Sequence, residues 1–144
     1  MPDNVERFAF GEDRLALVAA RRSKWASRRQ IDFHEVAGHD FIGLTNATAL
    51  QVHIGKHAAR LGMRLHFRAR LRDFDAICRL VAADVGIAVM PETAAKRCAR
   101  SMPIAIIKIR DAWADRKLVI CARSFKSLPR PAKLLVEHLR KAAA

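Results

Sequence analysis

"CRLVAADVGIAVMPE", residues 78–92, decides the fold, and its two halves pull in different directions. The first half is an apolar helical pattern closing on Ala83, Asp84 and Gly86, as the first helix of a DNA-binding helix-turn-helix would. The second half, Gly86 to Met90 and then Pro91, looks like a buried strand ending at the rim of a ligand cleft. A recognition helix would have to follow the turn within a few residues. Ile87-Ala88-Val89-Met90 is apolar throughout, with no amphipathic face and no polar side chain to reach a base edge. Pro91 would fall inside that helix, at a cost of about 3 kcal/mol. A buried parallel strand accommodates the same residues without penalty. The strand reading is therefore adopted.

The rest of the chain is then placed around that strand. "DRLALVAA" (13–20) suits a strand, the basic stretch 21–30 follows, and "FHEVAGHD" (33–40) reads as a short turn-rich helix and loop. "FIGL" (41–44) is a compact buried strand. "TNAT" (45–48) supplies helix N-caps, after which Leu50, Ile54, Ala58 and Leu61 recur at helical spacing until Gly62 stops the helix. "LHFRARL" (65–71) alternates strictly, with His66, Arg68 and Arg70 on the wet face, which places it near a sheet edge. Asp73 caps a second helix with stripe Ile77, Leu80 and Val81, and Pro91 suits the first turn of a third through Cys98. "IAIIKI" (104–109) and "KLVICA" (117–122) are strands, and Pro131 opens a last amphipathic helix carrying Leu134, Leu135 and Leu139. Strands alternating with helices imply an α/β domain with parallel crossovers.

At 144 residues, half of them hydrophobic, the chain can build one full-sized domain or two small lobes. "MPDNVERF" lacks the apolar run of a secretory signal, and no stretch approaches the roughly 18 apolar residues of a membrane span. Cys78, Cys98 and Cys121 form no CxxC pair and fit buried or semi-buried reduced thiols in a cytoplasmic protein. Twenty-seven Lys and Arg against 14 Asp and Glu leave +13, a surface that attracts polyanions and small anions alike. "RRSKWASRR" (21–29) is the densest cluster, and the remaining cations are spread along every segment.

"FDAICRLVAADVGIAVMPE" resembles the signature segment of the effector-binding domain of LysR-type transcriptional regulators. "DRLALVAARRSKWA", "HDFIGLTNATALQ", "DAWADRKLVICAR" and "LPRPAKLLVEHL" resemble further segments of that domain, in the same order, over roughly residues 13–140. Ser23-Lys24-Trp25-Ala26 stands where the family usually has His-Pro-Leu-Ala, and Asp84 and Val85 where Gly and a small or apolar residue are usual. The resemblance implies an α/β fold of the type II periplasmic-binding-protein kind, truncated to the second lobe plus the crossover strands and last helix of the first. In these terms residues 1–20 are a remnant of the first lobe and a crossover strand. Residues 21–115 are the effector-binding lobe, and 116–144 the return strand and C-terminal helix packing on the first lobe. It further implies a small-molecule effector, a homodimer or higher oligomer, a cytoplasmic location, and DNA contact only through a DNA-binding domain absent from this chain.

"LTNATAL" (44–50) offers the local chemistry for such a ligand. Free N–H groups at a helix start, the hydroxyls of Thr45 and Thr48 and the Asn46 amide, around Ala47, can hold a carboxylate, or can simply cap the helix. By resemblance, Leu50 and Phe74 form the apolar wall and Arg72 is an anion partner. His34 and His39 of "HEVAGH" are about 140° apart on a helix and cannot share a metal as i, i+4 ligands do, whereas His53 and His57 have that spacing without a third ligand in view. No nucleophile motif, phosphate loop, dinucleotide fingerprint or cofactor motif occurs, so no enzyme, metal or cofactor is expected. Two other readings stand beside the sensor: a dimerisation or structural fragment without a working site, and a basic, non-specific nucleic-acid-binding protein.

Overall fold

Ile87 joins two sets of strands. In the computed structural model, which describes residues 5–45 and 48–143, strand β1 runs over Glu6–Ala20, β2 over Gln30–Ile31, β3 over Asp40–Leu44 and β4 over His66–Leu71. Strand β5 is Ala88–Pro91, β6 Ile104–Ile109 and β7 Asp115–Ala122. Helices are α1 (Ala49–Arg60), α2 (Phe74–Ala82), α3 (Glu92–Ala99) and α4 (Arg130–Ala143). The chain forms two units, residues 14–115 and the combination of 1–13 with 116–144.

In the larger unit β3 and β4 pair in parallel, and Phe41 of β3 bridges Ile87 in parallel. The Ile42 amide donates to the Ile87 carbonyl (2.8 Å), and the Ile87 amide to the Asp40 carbonyl (3.0 Å). Beyond Ile87 the chain enters β5, which pairs antiparallel with β1; β1 pairs antiparallel with β6, and β6 in parallel with β2. The lateral order is β4-β3-β5-β1-β6-β2, with β1 alone running against the others. The strands joined by crossovers, β2 to β6, are parallel as expected, and β1 is the one strand whose antiparallel sense the alternation of strands and helices does not give. A strand buried on both faces reads as a continuous apolar run whichever way its neighbours point.

Both faces of the sheet are covered, which explains why "GIAVM" has no polar position. Ile87 and Val89 enter one core with Phe33, Phe41, Ile107, Ile109 and the Leu50–Ile54–Ala58 stripe of α1. Ala88 and Met90 enter the other, with Ile42, Ile104, Ile77, Cys78 and Val81 of α2 and Ala94, Ala95 and Cys98 of α3. Strand β4 is an edge whose exposure alternates along its length, as its sequence implies.

Two helices in this unit end in the same way. At α1, Gly62 adopts φ 71°, its amide bonds the Ala59 carbonyl, and the Met63 amide reaches Ala58. At α2, Asp84 takes that left-handed place at φ 61°, its amide bonding Val81 and that of Val85 bonding Leu80. These are Schellman closures, for which glycine is the usual residue. Arg22 and Arg68 donate to the Ala83 and Val85 carbonyls (2.9 and 3.3 Å) at the α2 terminus, where cations are favoured. The turn therefore closes without glycine, at the cost of holding an L-residue where its Cβ crowds the backbone. Asp84→Gly is expected to stabilise the chain by about 0.5–1 kcal/mol and Asp84→Val to destabilise it by about 1–2 kcal/mol, read as opposite shifts of the urea midpoint at unchanged slope.

In the smaller unit β7 pairs with β1, Arg116 is ion-paired with Asp13, and the Arg140 guanidinium lies 4.6 Å over the Phe8 ring. The strand expected at 13–20 is therefore part of a longer one beginning at Glu6. Residues 6–12, "ERFAFGE", lack the continuous apolar run that marks the rest. Cys121 is exposed on β7, which corrects its placement among buried or semi-buried thiols, whereas Cys78 and Cys98 are buried. Burial, with a hydrogen bond to Cys98 second, pushes the Cys78 thiol up to about 12, so it is not a thiolate nucleophile at neutral pH.

Candidate functional site

Because β2, β3, β4, β5 and β6 share one direction, their carboxyl ends lie along a single edge of the larger unit. Open α/β sheets bind ligands at such an edge, where each strand hands over to a loop or helix N-terminus. Leu44 and Leu71 are in register at the ends of β3 and β4. The next residues, Thr45 and Arg72, are consequently neighbours, and the Thr45 amide donates to the Leu71 carbonyl (2.8 Å).

The Thr48 hydroxyl accepts from the Gln51 amide (3.2 Å) and caps α1, which uses one of its lone pairs and leaves its proton to donate. Arg72 is exposed, and among the described residues it makes no hydrogen bond or ion pair. Phe74, the first residue of α2, is partly buried and touches both cores. Leu50 is 8% exposed and packs inward with Ile54, so it supports the α1 N-terminus from beneath. Asn46 and Ala47 lie outside the described residues.

The three helix N-termini at this edge differ in charge. Helix α2 carries its own anions: Asp73 accepts from the Ala76 amide (2.8 Å), and Asp75 accepts from the Cys98 thiol (3.1 Å) beside Arg97. The Cys98 hydrogen bond, then Arg97, hold the Asp75 carboxyl below its usual range. Helix α3 has Glu92 in its first turn, paired with Lys96 at 2.9 Å. Helix α1 has no acidic residue in its first turn. The partial positive charge of its free amides is therefore not offset locally, and the Arg72 guanidinium follows the neighbouring strand.

Further along the edge, charge is internally satisfied. Arg110 forms a fork on Asp32 (2.9 and 2.7 Å), and Arg28 a fork on Glu35 (3.1 and 3.2 Å), whose carboxylate also accepts from the Asp32 amide. Arg28, then the Asp32 amide, hold Glu35 below its usual range. Much of the "RRSKWASRR" cluster thus serves the fold: Arg22 bonds a helix end, Arg28 bonds Glu35, and the Lys24 ammonium lies 4.8 Å over the Trp25 ring. His34 approaches Asp32 (3.8 Å) while His39 meets Trp25 edge-on, so the two are not brought together. Among the described residues no group of three His, Cys, Asp or Glu gathers to hold a metal, and no helix is long and apolar enough to cross a membrane.

A mixed sheet covered by helices on both faces, with one strand reversed and a carboxyl edge fed by three helix N-termini, defines the periplasmic-binding-protein-like class. Within it the LysR substrate binding domain model matches residues 1–144, and the chain belongs to that family, one of transcriptional regulators rather than enzymes. Among solved structures, the regulatory domain of Synechocystis PCC6803 CcmR in complex with 2-PG is 16% identical with a TM-score of 0.83, over 99% of this chain and 70% of that one. The effector binding domain of QuiR in complex with shikimate is 18% identical with a TM-score of 0.77, over 97% of this chain and 66% of that one. CbnR, a LysR family transcriptional regulator, is 16% identical with a TM-score of 0.74, over 100% of this chain and 50% of that one. The chain thus spans about two thirds of the effector-binding domains and half of the longer regulator. No curated protein matches it in sequence.

Proposed function

We propose that this chain is the effector-sensing part of a LysR-type regulator and takes a small anionic metabolite at the α1 N-terminus. The observation that carries the reading is the contrast among the three helix starts at this edge: of α1, α2 and α3, only α1 lacks first-turn carboxylates, and Arg72 stands beside it. Thr45, Asn46, Ala47 and Thr48 supply amides and hydroxyls, Arg72 the countercharge and Phe74 the apolar wall, with Leu50 beneath. Residues 1–20 and 116–144 belong in this reading to a first lobe, and 21–115 form the second. The regulator works in the cytoplasm as a homo-oligomer and reaches DNA through a domain these residues do not supply. The relatives solved with shikimate and with 2-PG support a small, anionic class of effector.

The test is a thermal melt of the chain with shikimate, 2-PG and a series of small carboxylates and amino acids. A ligand at about 100 times its dissociation constant is expected to add roughly 2.7 kcal/mol and raise the midpoint visibly. A cooperative melt that no anion moves would overturn the sensing reading. The exposed Leu134 and Leu135 on α4 (56% and 58%) favour the second reading, a fragment that self-associates, which would show instead as a concentration-dependent mass. Binding to DNA of any sequence, lost steeply with salt, would mark the third reading, a basic polyanion binder.

A further inference from the structure

Helix α1 is tied to the turn after β6 by a ring cluster at the margin of the core, apart from the residues proposed to hold the effector. His57 stacks on Trp113 with ring centroids 4.6 Å apart and planes 8° from parallel. His53, one helical turn earlier, meets His57 edge-on at 4.7 Å, and its Nε2 lies 3.1 Å from the Trp113 carbonyl oxygen. That carbonyl can only accept, so His53 carries its proton on Nε2. Arg60 approaches His57 Nδ1 at 3.5 Å, which suits an unprotonated nitrogen there and a neutral ring. The far side of the indole is held too: its Nε1 donates to Asp111 (3.3 Å), and Phe33 meets it edge-on at 5.0 Å.

We propose that His57, with His53 and Trp113, is an acid-sensitive clasp between α1 and the 111–114 turn, closed when the imidazole is neutral and released when it is protonated. The groups facing His57 make the cation unwelcome. From its own helix come His53, Lys56 and Arg60, all basic. The turn packed against it contributes one carboxylate, Asp111. Both Asp111 oxygens are engaged, one by the Phe33 amide (2.8 Å) and the other by the indole, so that charge is not free to pair with an imidazolium. The last carbonyls of α1 are closed by Gly62 and Met63, which blunts the pull of the helix terminus on a cation. Water still reaches the ring through a hollow of about 400 Å³ lined by His57, Arg60, Leu61, Asp111, Ala112 and Trp113, so the proton equilibrates with solvent.

Partial burial, then the charges of His53, Arg60 and Lys56, depress the His57 pKa below its ordinary 6.5. The unfolded chain therefore takes up the proton first as pH falls. The clasp's contribution is complete above pH 6.5, declines as pH falls from there through the lower folded-state value, and changes no further below it. The experiment uses the Trp25→Phe background, in which Trp113 is the one indole. Its fluorescence and the melting temperature are followed from pH 7.5 to 5. Expected is a fluorescence transition with its midpoint below 6.5 and a melting temperature that falls over the same window. His57→Phe, which keeps a ring on the indole without a titrating group, and His57→Gln, which removes the ring, should both abolish the transition and flatten the slope. A flat signal with His57 present, or an unchanged transition and slope in both variants, would overturn the proposal. Neither readout needs an effector, so its outcome is independent of the sensing reading.

Discussion

Gly86→Val is expected to destabilise the chain by about 3 kcal/mol, the upper end of what overpacking a close-packed site costs. A Cβ at Gly86 would lie 2.9 Å from the Asp40 carbonyl oxygen and 3.2 Å from the Ile42 side chain. The carbonyl cannot give way, because it accepts the Ile87 amide in the bond that carries β3 alongside β5. Relief requires Ile87 to part from Phe41, and those residues are 5% and 1% exposed in one core. For a domain of this size the melting temperature should drop by roughly 10 °C, with an unchanged denaturant slope if the variant still folds in one step. Gly55→Ala is the control. Its Cβ would meet nothing within 4 Å, on the surface of α1, and it should gain stability from helix propensity, by up to about 1 kcal/mol. If Gly86→Val were neutral, the close approach of β3 and β5 would not be what holds the two sets of strands together.

Gly86 also shows what the sequence makes legible and what it hides. The run Ile87–Met90 is uniformly apolar because each face of the sheet has its own core, and that much follows from composition and length alone. The helices are equally plain, since Thr48 and Asp73 cap as their residue types predict and Gly62 stops α1. The direction of β1 is not legible. Its neighbours β5 and β6 lie about 70 and 85 residues away, and a two-faced apolar strand carries no mark of their polarity. The Glu6 start of β1 is hidden because residues 6–12 mix charges and aromatics without a clean period, and their partner, β7, lies at the far end of the sequence. Thr45 and Arg72 become neighbours through the β3–β4 register, which the pattern of β4 suggests without fixing. The His53–His57–Trp113 cluster could have been half found. The i, i+4 histidines are visible in sequence, but the tryptophan that stacks on one of them is brought in only by the turn after β6.

Arg72→Ala is expected to weaken binding of an anion that stabilises the chain by about 10- to 100-fold, and to leave the unliganded melt unmoved. A hydrogen bond to a charged group contributes about 1.5–3 kcal/mol. Arg72 is exposed, so its removal should change folding by no more than about 0.5 kcal/mol. Thr48→Ala should act on both quantities. It removes the hydroxyl that accepts the Gln51 amide, at about 1 kcal/mol of stability, and it frays the turn whose amides are proposed to hold the ligand. Arg72→Lys separates charge from geometry: if the anion is gripped by a planar fork, lysine should recover only part of the loss, because it offers a point charge in place of paired donors. Raising salt should weaken binding to the unaltered chain more than to Arg72→Ala, since the charge being screened is the one removed. Titration by calorimetry at two ionic strengths reads all of this. Were Arg72→Ala to bind as tightly as the parent at both, the countercharge would have to come from elsewhere on the edge, and the α1–Arg72 assignment would fall while the sheet edge itself remained a candidate.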